Sequence, residues 1–111
     1  MRPQQQHHVY IWEYRVIPNK REEFMQAYGP DGAWVALFTR ASGYIDTLLL
    51  NDQTDPARFL TIDRWCNADA HNAFITRYRA EYDELDRFCE SFTSHEASLG
   101  SYWQCSSPPA A

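Results

Sequence analysis

The chain reads as an α+β domain, a ferredoxin-like four-stranded antiparallel sheet with helices on one face. Three observations predict it. Residues 9–17 alternate along a strand, two later strand-like runs lie close enough to form a hairpin, and the elements follow the order strand, helices, hairpin, helix, strand of a split β-α-β unit. With 111 residues the chain has length for one domain. We place that domain at 9–103, between an N-terminal tail over 1–8 and a C-terminal tail over 104–111, because both ends are polar or small and unpatterned.

In the first strand Tyr10, Trp12, Tyr14 and Val16 share one face, and Val9, Ile11, Glu13, Arg15 and Ile17 share the other. Pro18-Asn19 ends it. Asn19 with Glu22 three residues later has the form of a capping box, and Phe24, Met25 and Tyr28 then line one side of a short helix. Gly29-Pro30-Asp31-Gly32 breaks that helix. Asp31 is placed to cap a second, with Trp34, Leu37, Phe38 and Ala41 at helical spacing, and Ser42-Gly43 stops it.

Tyr44–Leu50 and Arg58–Trp65 are the hairpin strands, joined by the polar turn 51–56. Asn67 caps the next helical stretch, whose apolar positions Ala70, Phe74, Tyr78, Tyr82, Leu85 and Cys89 suit one long helix or two in tandem. Thr93-Ser94-His95-Glu96 has the form of another capping box, so the last strand is expected from about Ala97 to Trp103.

Composition narrows the function. The net charge is −5 and the basic residues are scattered, which leaves no cationic stripe for nucleic acid. No apolar run approaches the roughly 20 residues of a membrane span, and no secretory signal opens the chain, so the cytoplasm is the expected compartment. Cys66, Cys89 and Cys105 have no metal or disulfide spacing. They read as free thiols, with Cys66 and Cys89 as small buried side chains. His7-His8 reads as part of the tail, and Asp63 and Arg64 as an ion pair across strands or subunits. No metal site, phosphate loop or dinucleotide fingerprint is present in the sequence, so no cofactor is expected. Aromatic residues reach 15% of the chain, enough for a core with side chains left over for a pocket.

Helices on one face leave the other face of the sheet in water, with Val9 and Ile11 on it. A second copy packing sheet against sheet would cover that face, so a homodimer is expected.

The runs Val9-Tyr10-Ile11-Trp12-Glu13-Tyr14-Arg15-Val16, Tyr28-Gly29-Pro30-Asp31-Gly32-Ala33-Trp34, Leu37-Phe38, Gly43-Tyr44, Thr47-Leu48-Leu49 and Leu60-Thr61-Ile62-Asp63-Arg64-Trp65, together with Phe24, Phe74 and Leu99-Gly100, resemble the antibiotic biosynthesis monooxygenase family over about residues 8–103. The resemblance implies a dimeric α/β barrel with a ligand cavity between sheet and helices in each subunit. It also implies chemistry that ranges across the family from cofactor-independent oxygenation of aromatic polyketides to haem degradation. Haem degraders of the family use an Asn on the first strand, a Trp on the helix after the third strand and a ligating His beyond it. Here those places hold Tyr14, Phe74 and a stretch, 75–87, without histidine, which disfavours haem degradation. Other members carry a His nine residues after the strand Trp, where this chain again has Phe74.

The resulting expectation is a cofactor-independent monooxygenase acting on a small aromatic or quinol-like substrate. The alternative is a carrier or sensor of aromatic metabolites using the same cavity without turnover; Phe74 favours the alternative and Tyr14 the enzyme. The expected pocket has Trp12 and Tyr14 on the sheet and Trp34, Phe38, Phe74 and Tyr78 on the helices. Tyr14 is the candidate proton donor, against a reading as a plain core tyrosine. His71 is the second candidate, against a reading as an exposed helix residue outside the apolar stripe.

Overall fold

The computed structural model describes residues 7–105, so most of both expected tails lies outside the described residues. The chain runs β1 (His8–Val16), a 3-10 turn (Pro18–Lys20), α1 (Arg21–Tyr28), α2 (Ala33–Phe38), β2 (Tyr44–Asn51), β3 (Arg58–Trp65), α3 (Ala68–Arg77), α4 (Arg79–Cys89), a second 3-10 turn (Glu90–Phe92) and β4 (Thr93–Trp103). The sheet is antiparallel in the order β2-β3-β1-β4, the ferredoxin-like arrangement that the element order predicts.

Strand β1 is the spine. It pairs with β3 from His8↔Trp65 to Arg15↔Arg58 and with β4 from His8↔Trp103 to Val16↔Thr93. Tyr14 and Val16 are buried toward the helices while Arg15 is exposed, as the alternation requires. The strand starts at His8 rather than Val9, and His8 is buried, its ring 5.6 Å from His71. Pairing with Trp65 and Trp103 draws it out of the expected tail and into the sheet.

Several expectations are corrected at element ends. Asn19 caps nothing: Pro18 fixes the backbone one step earlier, Lys20 N–H bonds Ile17 O, and α1 begins at Arg21. Met25 is exposed, because the buried positions of α1 are Phe24, Ala27 and Tyr28. Asp31 does not cap α2. Gly32 holds that position, so close to α1 that a Cβ there would lie 2.3 Å from the Gln26 and Ala27 carbonyl oxygens. The helix stops at Phe38, and Ala41 lies in the following turn, its N–H bonded to Phe38 O.

Asn67 does cap α3, its Oδ1 accepting Ala70 N–H at 2.8 Å. The next stretch is two helices, parted where Tyr78 leaves helical geometry (φ −109°, ψ 27°) while Tyr78 N–H still bonds Phe74 O. Strand β4 starts at Thr93, four residues earlier than expected. Its pairing with β1 shifts register twice, between Ile11/Trp12 and between Arg15/Val16, so period-two alternation does not run through it. The three cysteines are free, but Cys66 is exposed at the end of β3 and only Cys89 is buried.

The core is largely aromatic. One cluster joins Tyr14, Phe24, Tyr28 and Phe59, with Phe24 stacked on Tyr28 at 4.3 Å between ring centroids. A second joins Phe38, Tyr44, Trp65 and Phe74. Trp34 bridges them through Tyr28 and Phe38. Wide rings at both ends hold the helices off the sheet between them.

The turn before β2 fixes how α3 sits on this core. Gly43 has φ +94°, its carbonyl accepts Cys66 N–H at 2.7 Å, and a Cβ there would come within 2.6 Å of the Ala70 Cβ. Gly43→Ala therefore combines a left-handed strain with a clash into α3. It should cost about 2 kcal/mol, read as a fall of about 10 °C in melting temperature.

A candidate aromatic cavity

Between the two ring clusters, sheet and helices form a partly open cavity of about 170 Å³. Its floor comes from the inward residues of three strands: Tyr10, Trp12 and Tyr14 of β1, Thr61 and Asp63 of β3, and Thr47 of β2. Trp12 lies opposite Thr61, and Tyr10 and Thr47 both lie opposite Asp63, which sets these side chains side by side. The roof is Tyr28, Trp34, Phe38, His71 and Tyr82, with Asp86 and Glu96 completing the wall.

Of the expected pocket, Trp12, Tyr14, Trp34 and Phe38 line this cavity. Phe74 and Tyr78 do not. Phe74 is packed into the core, its ring 5.3 Å from both Trp65 and Phe38. Tyr78 turns to the outer side of α3, where its hydroxyl donates to Arg40 O. Helical spacing places Phe74 and Tyr78 on one face together, but the roll of α3 aims that face into the core and past it. His71 is corrected in the opposite sense. It is half-buried and lines the cavity, its ring 4.8 Å from Tyr10 and 5.1 Å from Trp65. Burial pushes its pKa down to about 4, so the imidazole is neutral near pH 7.

Asp63 corrects the expectation of an ion pair across strands, since none forms to it among the described residues. Its neighbour Arg64 faces the other side of the sheet and forms a two-pronged pair with Asp46 at 2.8–2.9 Å. Asp63 points inward, 7% exposed, with no cation beside it. It receives a hydrogen bond from the Thr47 hydroxyl at 2.7 Å, and Thr47 in turn accepts one from the Tyr44 hydroxyl at 2.6 Å. Burial raises its pKa to about 6, against 3.8 for an ordinary aspartate. A signal was present: the register Phe59, Thr61, Asp63, Trp65 puts Asp63 on the buried face.

Tyr14 is buried, and its hydroxyl lies 3.3 Å from Thr61 Oγ1. Burial holds its pKa well above the ordinary tyrosine value, so it remains a hydroxyl donor across the working pH range. The Asp86 and Glu96 carboxyls at the far wall are also raised, by burial first; Glu90 and Asp83 add to it at Asp86, and Asp86 and Glu90 add to it at Glu96. Among the described residues no group of three or more His, Cys, Asp or Glu side chains is arranged to hold a metal ion, and no helix is long and apolar enough to cross a membrane. The cavity thus presents one proton acceptor poised near neutrality, hydroxyl donors beside it and flat aromatic walls. An apolar cavity of about 150 Å³ holds a benzene ring, so this one has room for an aromatic ring.

The sequence model of the antibiotic biosynthesis monooxygenase family matches residues 8–77. No curated protein matches the chain. Among solved structures, SnoaB from Streptomyces nogalater, a cofactor-independent oxygenase, superposes with a TM-score of 0.70 at 15% identity, covering 95% of this chain and 99% of that one. A conserved protein from Methanosarcina mazei gives 0.68 at 14% identity over 90% and 94% of the two chains. PA3566 from Pseudomonas aeruginosa gives 0.69 at 16% over 91% and 96%. At these identities the likeness is one of fold.

The buried carboxyl makes a measurable claim on stability. A raised folded-state pKa means that the folded state is favoured while Asp63 is protonated, and that this contribution is lost as pH rises through about 6. The cost at pH 8 is about 3 kcal/mol. Asp63→Asn keeps an acceptor for Thr47 but cannot ionise. Denaturant titrations from pH 4 to 8 should show the variant gaining on the wild type by that amount as pH rises; parallel curves would mean that Asp63 ionises normally.

Proposed function

The chain belongs to the antibiotic biosynthesis monooxygenase family, and we propose that it is a cofactor-independent monooxygenase of small hydroxylated aromatic rings. The observation that carries this reading is Asp63, a buried carboxyl without a cation on the floor of a partly open aromatic cavity. Oxygen needs an electron-rich partner, and a ring hydroxyl becomes one on losing its proton. The Asp63 carboxylate accepts that proton, and its pKa of about 6 keeps it ionised at neutral pH yet basic enough to act. The aryloxide passes one electron to oxygen, and the resulting superoxide and ring radical combine into a carbon–oxygen bond. The peroxide then loses its ring hydrogen and its outer oxygen as water while the remaining oxygen becomes a carbonyl. One ring hydroxyl, one ring hydrogen and one molecule of oxygen give a quinone and water. Asp63 returns its proton to the departing oxygen, and the Tyr14 hydroxyl, beside Thr61, donates a hydrogen bond to the peroxide. Trp12, Trp34 and Phe38 position the ring and exclude water. His71, neutral and packed against Tyr10 and Trp65, serves as wall.

Phe74 favours a silent carrier only where it stands in the reacting position. Phe74 lies outside the cavity, so its apolar character says nothing about chemistry there.

The same reading includes a homodimer. The outer face of the sheet carries Ile11 beside Ile62 and Leu48, and Leu60 beside Leu50, with Leu48 55% and Leu50 42% exposed. Ion pairs flank this patch, Arg64 with Asp46 at one end and Arg58 with Glu13 and Asp52 at the other. An apolar centre with a charged rim is the anatomy of a buried interface.

Oxygen consumption against a panel of hydroxylated aromatics, run beside thermal-shift binding, tests the chemistry. Turnover should rise with pH along a limb with its midpoint near 6, and Asp63→Asn should remove the limb. Tyr14→Phe, which deletes one hydroxyl and little volume, should lower turnover by about 10²-fold with the melting temperature nearly unchanged. Binding across the panel without oxygen uptake would leave a carrier. For the dimer, light scattering should give about 26 kDa, twice the 13.0 kDa chain, and Leu48→Asp should halve it.

A further inference from the structure

We propose that Tyr44, which lies outside the cavity, is a positioning residue for Asp63: through Thr47 it secures one carboxylate oxygen and leaves the other to the ligand. The inference rests on the reading of Asp63 as the base of the cavity and adds what holds that base ready.

The arrangement begins with an irregularity in β2. Along a regular strand, residues three apart face opposite sides of the sheet. Tyr44 and Thr47 lie opposite Trp65 and Asp63, two residues that share the inner face of β3. They can do so because the pairing shifts between Tyr44 and Asp46, where one step of β3, Trp65 to Arg64, is matched by two of β2. The Tyr44 ring packs against Phe38 and Trp65, at 5.5 and 5.3 Å between centroids, and both of those side chains are buried. The ring is thus anchored in the core, and its hydroxyl is delivered to Thr47.

The resulting chain of hydrogen bonds runs in one direction. A threonine hydroxyl has a single proton. Thr47 gives its proton to Asp63 Oδ1 at 2.7 Å, so the 2.6 Å contact between Tyr44 and Thr47 is a donation from the tyrosine. Burial keeps the Tyr44 hydroxyl protonated and able to donate. Each bond polarises the next. Asp63 Oδ1 is thereby engaged. Oδ2 accepts no hydrogen bond among the described residues, although Asp63 is only 7% exposed and lines the cavity. A ring hydroxyl gives its proton to Oδ2 while Oδ1 keeps its bond from Thr47.

The same bond sets how readily Asp63 ionises. It favours the carboxylate against the larger, opposing effect of burial, and Asp46, on the outer face with Arg64, adds repulsion. The other titratable side chains of the wall are Tyr10 and Tyr14 on β1, Tyr28 on α1, His71 on α3, Tyr82 and Asp86 on α4 and Glu96 on β4. None of them gives Asp63 a hydrogen bond among the described residues.

Carbon-13 NMR of the side-chain carboxyls, with Asp63 assigned by Asp63→Asn, reads the consequence without a substrate. Asp63 should titrate near 6 in the wild type. Tyr44→Phe, which keeps the ring and removes the hydroxyl, should raise that midpoint by about half a pH unit, and Thr47→Val by about one. Thr47→Ser retains the donor and should stay within about 0.3 of the wild type. Tyr44→Phe added to Thr47→Val should move nothing further, because Tyr44 acts through the Thr47 hydroxyl. With a hydroxylated aromatic that is turned over, Tyr44→Phe should lower the rate about threefold on the acid limb and leave the alkaline plateau within about twofold. An unchanged or lowered midpoint in Tyr44→Phe, or the same rise with and without the Thr47 hydroxyl, overturns the inference and leaves Asp63 as the base. Titration of wild-type Asp63 near the ordinary 3.8 overturns the base and the inference together. Absence of turnover across the panel overturns the monooxygenase alone, since the carboxyl titrations decide the role of Tyr44 by themselves.

Discussion

Strand β1 is paired on both edges, with β3 on one side and β4 on the other, so its peptide groups are committed and only its side chains remain for other work. Their period of two then decides the layout of the whole molecule. One row, Tyr10, Trp12 and Tyr14, must meet the helices. The other, Val9, Ile11 and Glu13, must meet water or another chain. Both candidate surfaces descend from this strand, the cavity on one side and the apolar sheet face on the other. A one-residue slip of β1 against β3 would put Glu13 and Arg15 into the aromatic core and turn Tyr14 outward. The matched neighbours on β3, Phe59, Thr61 and Asp63 inward against Leu60, Ile62 and Arg64 outward, make that slip costly on both faces.

The cavity follows from packing rings where aliphatic side chains would close up. Phe24, Tyr28 and Phe59 fill one end and Phe38, Trp65 and Phe74 the other. Broad, stiff rings at both ends keep α2 and α4 from settling onto the middle of the sheet. Into that space the chain places a carboxyl with a single hydroxyl donor. Nothing in folding favours such a group, since an alanine or valine there would be more stable near neutral pH. A residue that costs the folded state free energy where the protein works is the kind retained for chemistry.

How much of this was legible follows from which period carries it. The strand faces, the hairpin and the Asn67 cap were readable because local chemistry alone determines them. The roll of a helix about its axis is not local. Phe74 and Tyr78 share a face on any helix, yet the contact of Ala70 with Gly43 and the break at Tyr78 decide where that face points. His71, three residues from Phe74, is swung into the cavity by the same roll. β4 was half hidden because its bulged pairing breaks the alternation. Asp63 was hidden differently. Charges on a strand suggest ion pairs across strands or subunits, and Arg64 makes one with Asp46, but neighbours on a strand face opposite ways, so Asp63 turns to the cavity instead.

That last point explains how the cavity keeps its charge. Arg64, one residue from Asp63, is held on the outer face by Asp46 from β2 and by Gln104. Arg58 is held there by Glu13 and Asp52, and Arg15 by Asp55. Each cation on the central strands thus has an acidic partner outside, and none has reason to bend inward. Were Arg64 free to reach Asp63, the carboxyl would drop toward its ordinary range, lose its basicity near neutral pH and fill the space beside Thr47 with guanidinium. The outer ion pairs add little stability, being partly exposed. Their consequence is segregation: the central strands keep their arginines on one face, and Asp63 on the other face is left without a cation.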